Sequence, residues 1–489
     1  MELKKLKSGT DVRGTALSGY GSEVNLTEEA VRSVMDAFGF WLQGRVSGKT
    51  VAVGCDSRLS SPAIKEIAAK SLSDAGYTVF DCGLCSTPSM FMMTKFASTK
   101  ASASVMVTAS HHPCDKNGLK FFLPSGGLEG SQIEEILELA SRKEKLVSSE
   151  KGEVIKDDYM AHYCDFLTGL VQRECGGDKP LDGIKIVVDA GNGAGAFYVE
   201  RVLKPLGADT SGSQFLDPDG NFPNHIPNPE NREAMASVAQ ATLNAKADLG
   251  IIFDTDVDRA AIVDSSGKEI NRNTLIALIS AIILKQQPGA TIVTDSVTSD
   301  GLKEFILSKG GVHHRFKRGY KNVIDEAVRL CSEGINAPLA IETSGHAALK
   351  ENYFLDDGAY LVTRIIIEAV KLRRENKNLL SLIEGLKSAR EEKEVRLSFK
   401  TDNWKELGNF IIERIKKLKD PRLVVAPDNY EGARVSVPAL KGWFLVRMSV
   451  HDPIMPVNIE SDIEGGADRI AAILKEYLKA FDGLNVDNL

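Results

Sequence analysis

What most constrains this chain is a repeated order of segments. A short run of β-branched and small apolar residues leads into a polar, glycine-bearing loop, and then into an amphipathic helix. Near the N-terminus the order reads strand Val51–Val53, helix Ser61–Ala75, strand Tyr77–Phe80, a helix near Ser89–Phe96 and strand Ser104–Val107. Buried strands alternating with helices predict a doubly wound α/β layer. The order restarts at Gly183–Ala190, with helix Ala234–Ala245 and strand Leu249–Phe253. It restarts again at strand Lys268–Ile270, helix Arg272–Gln286 and strand Thr291–Thr294. From Glu392 the character changes. Strands at Glu392–Phe399, Arg422–Ala426, Gly432–Val437 and Gly442–Val450, with helices at Asn403–Leu418 and Glu464–Phe481, suggest a smaller α+β domain.

At 489 residues the chain exceeds a single core. The expectation is an α/β protein of three doubly wound mixed domains, residues 1–155, 156–268 and 269–388, followed by an α+β C-terminal domain, 389–489. A hydrophobic content of 43% and a charged content of 26% are those of an ordinary soluble protein. A net charge of -7 argues against a broad nucleic-acid surface but leaves room for local basic pockets that hold phosphate. No run of 18 apolar residues suits a membrane span, and Met1–Lys7 lacks an apolar signal core. The expected setting is the cytoplasm, with no nucleic-acid or membrane partner. Seven cysteines, an odd number, suggest free thiols. Cys82-Gly-Leu-Cys85 has redox-motif spacing, but it follows a strand end and has no second pair to complete a zinc site, so it reads as a strand-loop passage.

Two loops carry most of the chemistry. Thr108-Ala-Ser-His-His-Pro113 follows a buried strand and continues through Asn117-Gly-Leu-Lys120. A serine in such a loop can act as a nucleophile or carry a phosphate, and His111 and Lys120 can move protons or hold negative charge. The second loop is Asp254-Thr-Asp-Val-Asp-Arg259. Its alternate carboxylates repel one another without a cation and suit a hard, oxygen-seeking ion, Mg²⁺ first. It is not an EF-hand, because Arg259 stands where glycine is needed and Ser265 where glutamate is needed.

Two nucleotide motifs fail. Gly44–Thr50 is too short for a P-loop and runs into a strand. Gly191-Asn-Gly-Ala-Gly195 fits GxGxG, not the dinucleotide GxGxxG. Arg13, in a Gly-bracketed loop, can clamp a phosphate. Leu339–Ala347 ends in a loop whose Glu342, Ser344 and His346 can bond vicinal hydroxyls, and Arg447, Ser449 and His451 suit an anion.

Taken together, these loops resemble the α-D-phosphohexomutase superfamily, the phosphoglucomutases and phosphomannomutases, over nearly the whole chain and in the same order. The resemblance rests on Thr108–Pro113, Asp254–Arg259 and Glu342-Thr-Ser-Gly-His346. It is supported by Gly9–Gly14, Asn117–Lys120 and Pro227–Glu230. It implies four domains around a central cleft, each contributing one loop. It implies Ser110 as phosphoserine, with Ser110, Asp254, Asp256 and Asp258 on Mg²⁺ and with Arg13, His111, Lys120 and Arg259 around the transferring phosphoryl group. Glu342, Ser344 and His346 would read sugar hydroxyls, Lys317, Arg318, Gly319 and Tyr320 would line the substrate site, and Arg447 and Ser449, with His451, would hold the other phosphate.

The implied reaction moves a phosphoryl group between the 1- and 6-positions of glucose or mannose phosphate through a hexose 1,6-bisphosphate. Alternatives are a glucosamine-phosphate mutase and a catalytically weak sugar-phosphate binder. The implied partner is a small sugar phosphate, for a monomer or homodimer. One loop departs from the family pattern, Arg-x-Ser-(Gly or Asn)-Thr-Glu-Pro: here it reads Arg447-Met-Ser-Val-His-Asp-Pro453.

Overall fold

The computed structural model describes residues 2–96, 98–449 and 452–489. The chain forms two compact units, one of Met1–Asn271 with Ser344–Leu379 and one of Arg272–Thr343 with Leu380–Leu489.

In the first unit, the larger sheet runs in the order Lys7–Ser8, Asp11–Thr15, Lys116–Leu123, Ala103–Val107, Thr50–Cys55, Thr78–Leu84, Val154–Lys156, with Gly126–Gly127 off the path. Thr50–Cys55 pairs in parallel with Ala103–Val107 and Thr78–Leu84, as the alternation predicts. Lys116–Leu123 closes the other side antiparallel to both Ala103–Val107 and Asp11–Thr15. Ala103–Val107 is buried throughout, and its C-terminal end delivers the Ser110 loop. That is where open α/β sheets place ligand-binding loops. Helix Glu28–Leu42 is capped by the Thr27 hydroxyl and buries Val31, Val34, Phe38 and Trp41 in the core of this sheet.

Two local elements went unread. Strand Val154–Lys156 joins the sheet beside Val79–Asp81. Helix Tyr159–Cys175 follows it, with Tyr159, Met160, Tyr163, Cys164, Leu167, Leu170 and Val171 forming a buried stripe at helical spacing.

The second sheet runs Glu269–Ile270, Ala260–Asp264, Leu249–Phe253, Ile186–Asp189. The acidic loop is therefore the connection of a hairpin, with Phe253 opposite Ala260. Strand Ala260–Asp264 was not expected, and Glu269–Ile270 pairs with it instead of opening the next domain. The glycine-rich turn Gly191–Gly195 lies beneath the acidic loop. A Cβ on Gly193 would stand 2.7 Å from the Thr255 carbonyl oxygen, to which the Ala194 N–H donates at 2.8 Å. Its glycines serve close backbone packing.

The unit is completed by residues 344–379. The hairpin Ala347–Leu349 with Leu355–Asp356 leads into helix Gly358–Arg374. That helix is tied to the earlier part of the unit by Tyr163 donating to Asp357 at 2.7 Å, by a 2.7 Å bond between Tyr198 and Thr363, and by Arg364 and Lys371 on Glu174.

In the second unit, Thr291–Thr294 pairs in parallel with Val312–Arg315 and Leu339–Ile341. The C-terminal sheet is antiparallel, in the order Glu391–Ser398, Ile454–Ser461, Gly442–Val446, Ala433–Val437, Val424–Val425, covered by helices Trp404–Lys416 and Gly466–Leu478. Its strand Ile454–Ser461 was missed because Pro456 and Asn458 argue against an inner strand. Here Pro456 stands opposite Arg396. All seven cysteines are free, and Cys85 donates to the Cys82 carbonyl at 3.0 Å.

Candidate active site

Within the first unit the serine loop and the acidic loop meet. Ser110 is buried, and its backbone is left-handed at φ 53°, a strained conformation for a residue with a side chain. Its N–H donates to the Thr108 hydroxyl at 2.8 Å. Its hydroxyl lies 3.3 Å from Asp254 Oδ2 and 3.3 Å from His111 Nδ1. Burial, and then the nearby Arg259, push the His111 imidazole down to about 2, so it meets Ser110 as a neutral ring. His112 lies at the surface, where partial desolvation, and then the Arg13 charge, push its imidazole down to about 4.

The three acids are almost fully buried and lie together, with one ligand atom of each within 4.8 Å of the others. Each is engaged on one side. Lys120 Nζ donates to Asp256 Oδ2 at 3.1 Å and to Asp258 Oδ2 at 2.6 Å. Arg259 Nε donates to Asp254 Oδ2 at 3.2 Å, and its backbone N–H to Asp254 Oδ1 at 3.2 Å. Thr87 holds Asp256 through its hydroxyl and through its N–H, the latter 2.8 Å from the Asp256 carbonyl oxygen.

The other side is unsatisfied. Oδ1 of Asp256 and Oδ1 of Asp258 are buried without hydrogen-bond partners among the described residues. Burial, and then the charges of Asp258 and Asp256, raise the Asp254 carboxyl well above its usual range. Asp258, despite its burial, is held below that range by Lys120, His346 and Arg259. Three carboxylates, two with an orphaned oxygen and the third with a raised proton affinity, fit a divalent cation bound through oxygen.

The remaining cations surround the same place. Arg13 lies on Asp11–Thr15, opposite Gly118, and donates to Asp11 Oδ2 at 2.7 Å. Its charge is one of those that depress His111. Arg259 also reaches Asn228 at 3.2 Å. Its Nη2 is buried without a hydrogen-bond partner among the described residues. His346 pairs with Arg259 across an isolated antiparallel bridge, and its Nδ1 makes a short contact with Asp356 and lies 4.0 Å from Asp258. Against its burial, Asp356 and Asp258 raise its proton affinity, favouring imidazolium. The buried Ser344 hydroxyl has no hydrogen-bond partner among the described residues.

The rest of the expected set lies in the second unit. Glu342 is buried and accepts from the Gly319 N–H at 2.6 Å. Lys317 is exposed and lies over the Phe316 ring, and Tyr320 begins helix Tyr320–Ser332. The Arg318 N–H donates at 3.1 Å to Glu431, which also accepts from the Ser296 hydroxyl. Burial lowers the proton affinity of Arg447, with Glu431 opposing, and its Nε lacks a hydrogen-bond partner among the described residues. The Ser449 hydroxyl accepts from the Asp452 N–H at 3.2 Å. His451, expected beside them, lies outside the described residues. Thr343 is buried and gives its hydroxyl to Asp295 at 2.6 Å.

Several partners carried no motif and went unread: Asp11 under Arg13, Thr87 under Asp256, Asp356 under His346, Glu431 beside Arg318, and the pair Asp56 and Arg58 behind the serine loop. Each is a single residue whose partner is distant in sequence or set by the turn.

Residues 5–147, 161–267 and 271–388 match the alpha/beta/alpha domains I, II and III of phosphoglucomutase/phosphomannomutase. A phosphomannomutase/phosphoglucomutase of Pseudomonas syringae is 31% identical over 434 residues, covering 88% of this chain and 87% of that protein. The chain belongs to the phosphoglucomutase/phosphomannomutase family. A protein of Xanthomonas campestris named for phosphohexose mutases is 30% identical over 456 residues, 91% of this chain and 95% of its own. The crystal structure of a family member from Burkholderia thailandensis has a TM-score of 0.82 at 28% identity, covering 99% of both chains. The chain is a phosphohexomutase, an isomerase of carbohydrate metabolism with the family's α/β domains I to III and a further C-terminal domain of mixed α and β structure. No helix among the described residues is long and apolar enough to cross a membrane.

Proposed function

We propose that Ser110 carries the phosphoryl group and that the enzyme interconverts the 1- and 6-phosphates of glucose, mannose or both through a hexose 1,6-bisphosphate. One observation carries the reading: a strained, buried serine hydroxyl lies 3.3 Å from a three-carboxylate loop that retains two orphaned oxygens. Phosphoryl transfer needs alignment and charge neutralisation more than covalent help. Asp254, Asp256, Asp258 and the phosphorylated Ser110 would hold Mg²⁺, which supplies positive charge to the phosphate. Lys120, Arg259 and Arg13 supply the protein's own positive charge there, and Lys120 also keeps Asp258 ionised. When Ser110 is free, its hydroxyl proton has two acceptors at 3.3 Å, His111 and Asp254.

Recognition falls to Glu342, Ser344 and His346 for hydroxyls, to Lys317–Tyr320 along the sugar, and to Arg447, Ser449 and His451 for the phosphate that stays. Four segments, 1–155, 156–268, 269–388 and 389–489, each contribute one of these loops. The proposed setting is the cytoplasm, with a small sugar phosphate as substrate and a monomer or homodimer as the working form. Phosphorus NMR with Mg²⁺ and a trace of hexose 1,6-bisphosphate tests the reading. Glucose 1-phosphate or mannose 1-phosphate should become the 6-phosphate with wild type and not with Ser110→Ala. Preferred turnover of glucosamine 1-phosphate would reassign the sugar, and no turnover of any sugar would leave only a binder.

A further inference from the structure

Behind the Ser110 loop lies a side chain that touches neither the acids nor the cations around them. The Arg58 guanidinium is fully buried. Its Nη1 donates to the carbonyls of Pro113 at 2.7 Å and Lys116 at 2.9 Å, and its Nη2 to those of His112 at 2.6 Å and of Ser110 itself. Asp56 stands 3.2 Å away as its counter-ion. Asp56 is fixed in turn by the Ser61 hydroxyl at 2.6 Å and the Arg58 N–H at 3.0 Å. A buried guanidinium is costly unless its donors are satisfied; here four carbonyls of a single loop take its Nη1 and Nη2 donors, while Nε, without a hydrogen bond among the described residues, lies 3.2 Å from Asp56 Oδ2.

The outer wall comes from the long turn-rich loop after Asp217. The Phe222 ring lies 5.3 Å from the guanidinium carbon. Gly220 lets that loop approach, because a Cβ there would stand 2.3 Å from the Leu59 nitrogen. Phe222 has a left-handed backbone of its own, φ 49°. Two residues with left-handed backbones, Ser110 and Phe222, thus meet the same guanidinium.

The peptide group is planar, so a carbonyl held in one direction sets the torsion before it. Holding the Ser110 carbonyl sets ψ of Ser110, which orients its Cα–Cβ bond, and so the arc its hydroxyl can sweep toward Asp254, against the held turn. Holding His112, Pro113 and Lys116 prevents the turn from relaxing around it. We propose that Arg58 is a positioning residue: its four-carbonyl clamp, closed by Phe222, keeps Ser110 in the left-handed conformation from which it exchanges the phosphoryl group. This rests on the reading of Ser110 as the phosphoryl carrier.

The test compares Arg58→Lys, Arg58→Gln and Phe222→Leu with Ser110→Ala in the full chain, with circular dichroism as the check on folding. A displaced nucleophile loses rate, not ground-state binding, and a shift of an ångström costs roughly 100-fold. Arg58→Lys keeps the charge but not the fork, so kcat should fall about that far while KM for the sugar phosphate stays within about twofold. Arg58→Gln should fall further. Phe222→Leu, which leaves every carbonyl bond in place, should lose several-fold in kcat and shift the phosphorus resonance of the phosphoserine. A kcat for Arg58→Lys and Phe222→Leu equal to that of wild type, with Ser110→Ala inactive, overturns the clamp alone. So does a rise in KM with unchanged kcat. Full turnover by Ser110→Ala overturns instead the reading on which the clamp rests. Where Arg58→Gln does not fold, the other two variants decide on the same criteria.

Discussion

Ser110, Lys120, Asp254, Asp256, Asp258 and Arg259 are each at most 4% exposed, whereas Arg318, Arg447 and Ser449 are half-buried on loops. The first group is paired before any substrate arrives, through Lys120 on two acids and Arg259 on the third. In the loops of the second group the Arg318 N–H donates to Glu431, the Gly319 N–H to Glu342, and the Ser449 N–H to the Ile454 carbonyl at 3.1 Å. Charges that must stabilise a phosphoryl group in flight gain from burial, because little reorganisation is then needed at the moment of reaction. On the proposed reading, Arg447 and Ser449 hold first one phosphate of a bisphosphate and then the other, with Arg318 along the sugar. The first group then serves rate and the second recognition.

Substitutions should separate along that line. The largest effect is expected from Ser110→Ala, which should lower kcat by at least ~10⁴-fold in a coupled assay. Removal of divalent cations with a chelator should cost ~10³-fold, restored by Mg²⁺, with sugar-phosphate affinity by calorimetry nearly unchanged. If chelation instead abolished binding, the acid loop would belong to recognition and the contrast would collapse. Arg447→Ala removes a charged donor from a phosphate, a loss of about 1.5–3 kcal/mol, so KM should rise roughly 10- to 100-fold with kcat changed little. A fall in kcat at constant KM would place Arg447 with the chemistry.

The last effect concerns stability alone. In the second unit Arg434 lies 3.4 Å over the Trp443 ring, whose indole N–H donates to Glu460 at 2.8 Å. Burial pushes the Glu460 carboxyl up to about 7, against an ordinary 4.5. The folded form therefore binds this proton more tightly than the unfolded chain does. Its contribution is complete below about pH 4.5 and lost as the pH rises to about 7, a difference on the order of 3 kcal/mol. Glu460→Gln should flatten the thermal midpoint across that interval and raise it at pH 8, and an unchanged slope would refute the assignment.

The loops that carry chemistry were legible because each sets several unusual residues side by side: serine with histidines, three aspartates at alternate positions, glutamate with serine and histidine. The strand-helix alternation was legible for a related reason, since strands such as Ala103–Val107 and Leu249–Phe253 are buried at every residue. What sequence could not show was convergence. Nothing in Arg58 distinguishes it from a surface arginine until the turn at residues 110–116 folds over it. Asp356 became relevant only when a hairpin brought it to His346. Strand Ala260–Asp264 was passed over because the acidic loop before it invited reading as a terminus, when it is the tip of a hairpin.

The chain leaves the first unit at Asn271 and returns to it at Ser344. On a ribosome, the serine loop, the acidic loop and both of their sheets emerge long before His346 and Asp356. Asp258 must wait through residues 272–343 for two of the charges that surround it, and helix Gly358–Arg374 arrives later still to give Tyr163, Tyr198 and Glu174 their partners. A nascent chain halted before Ser344 thus holds an acidic, cation-seeking loop without its finished surroundings. Completion of the charges around Asp258 is consequently a late event in the life of each molecule, ordered by the direction of synthesis.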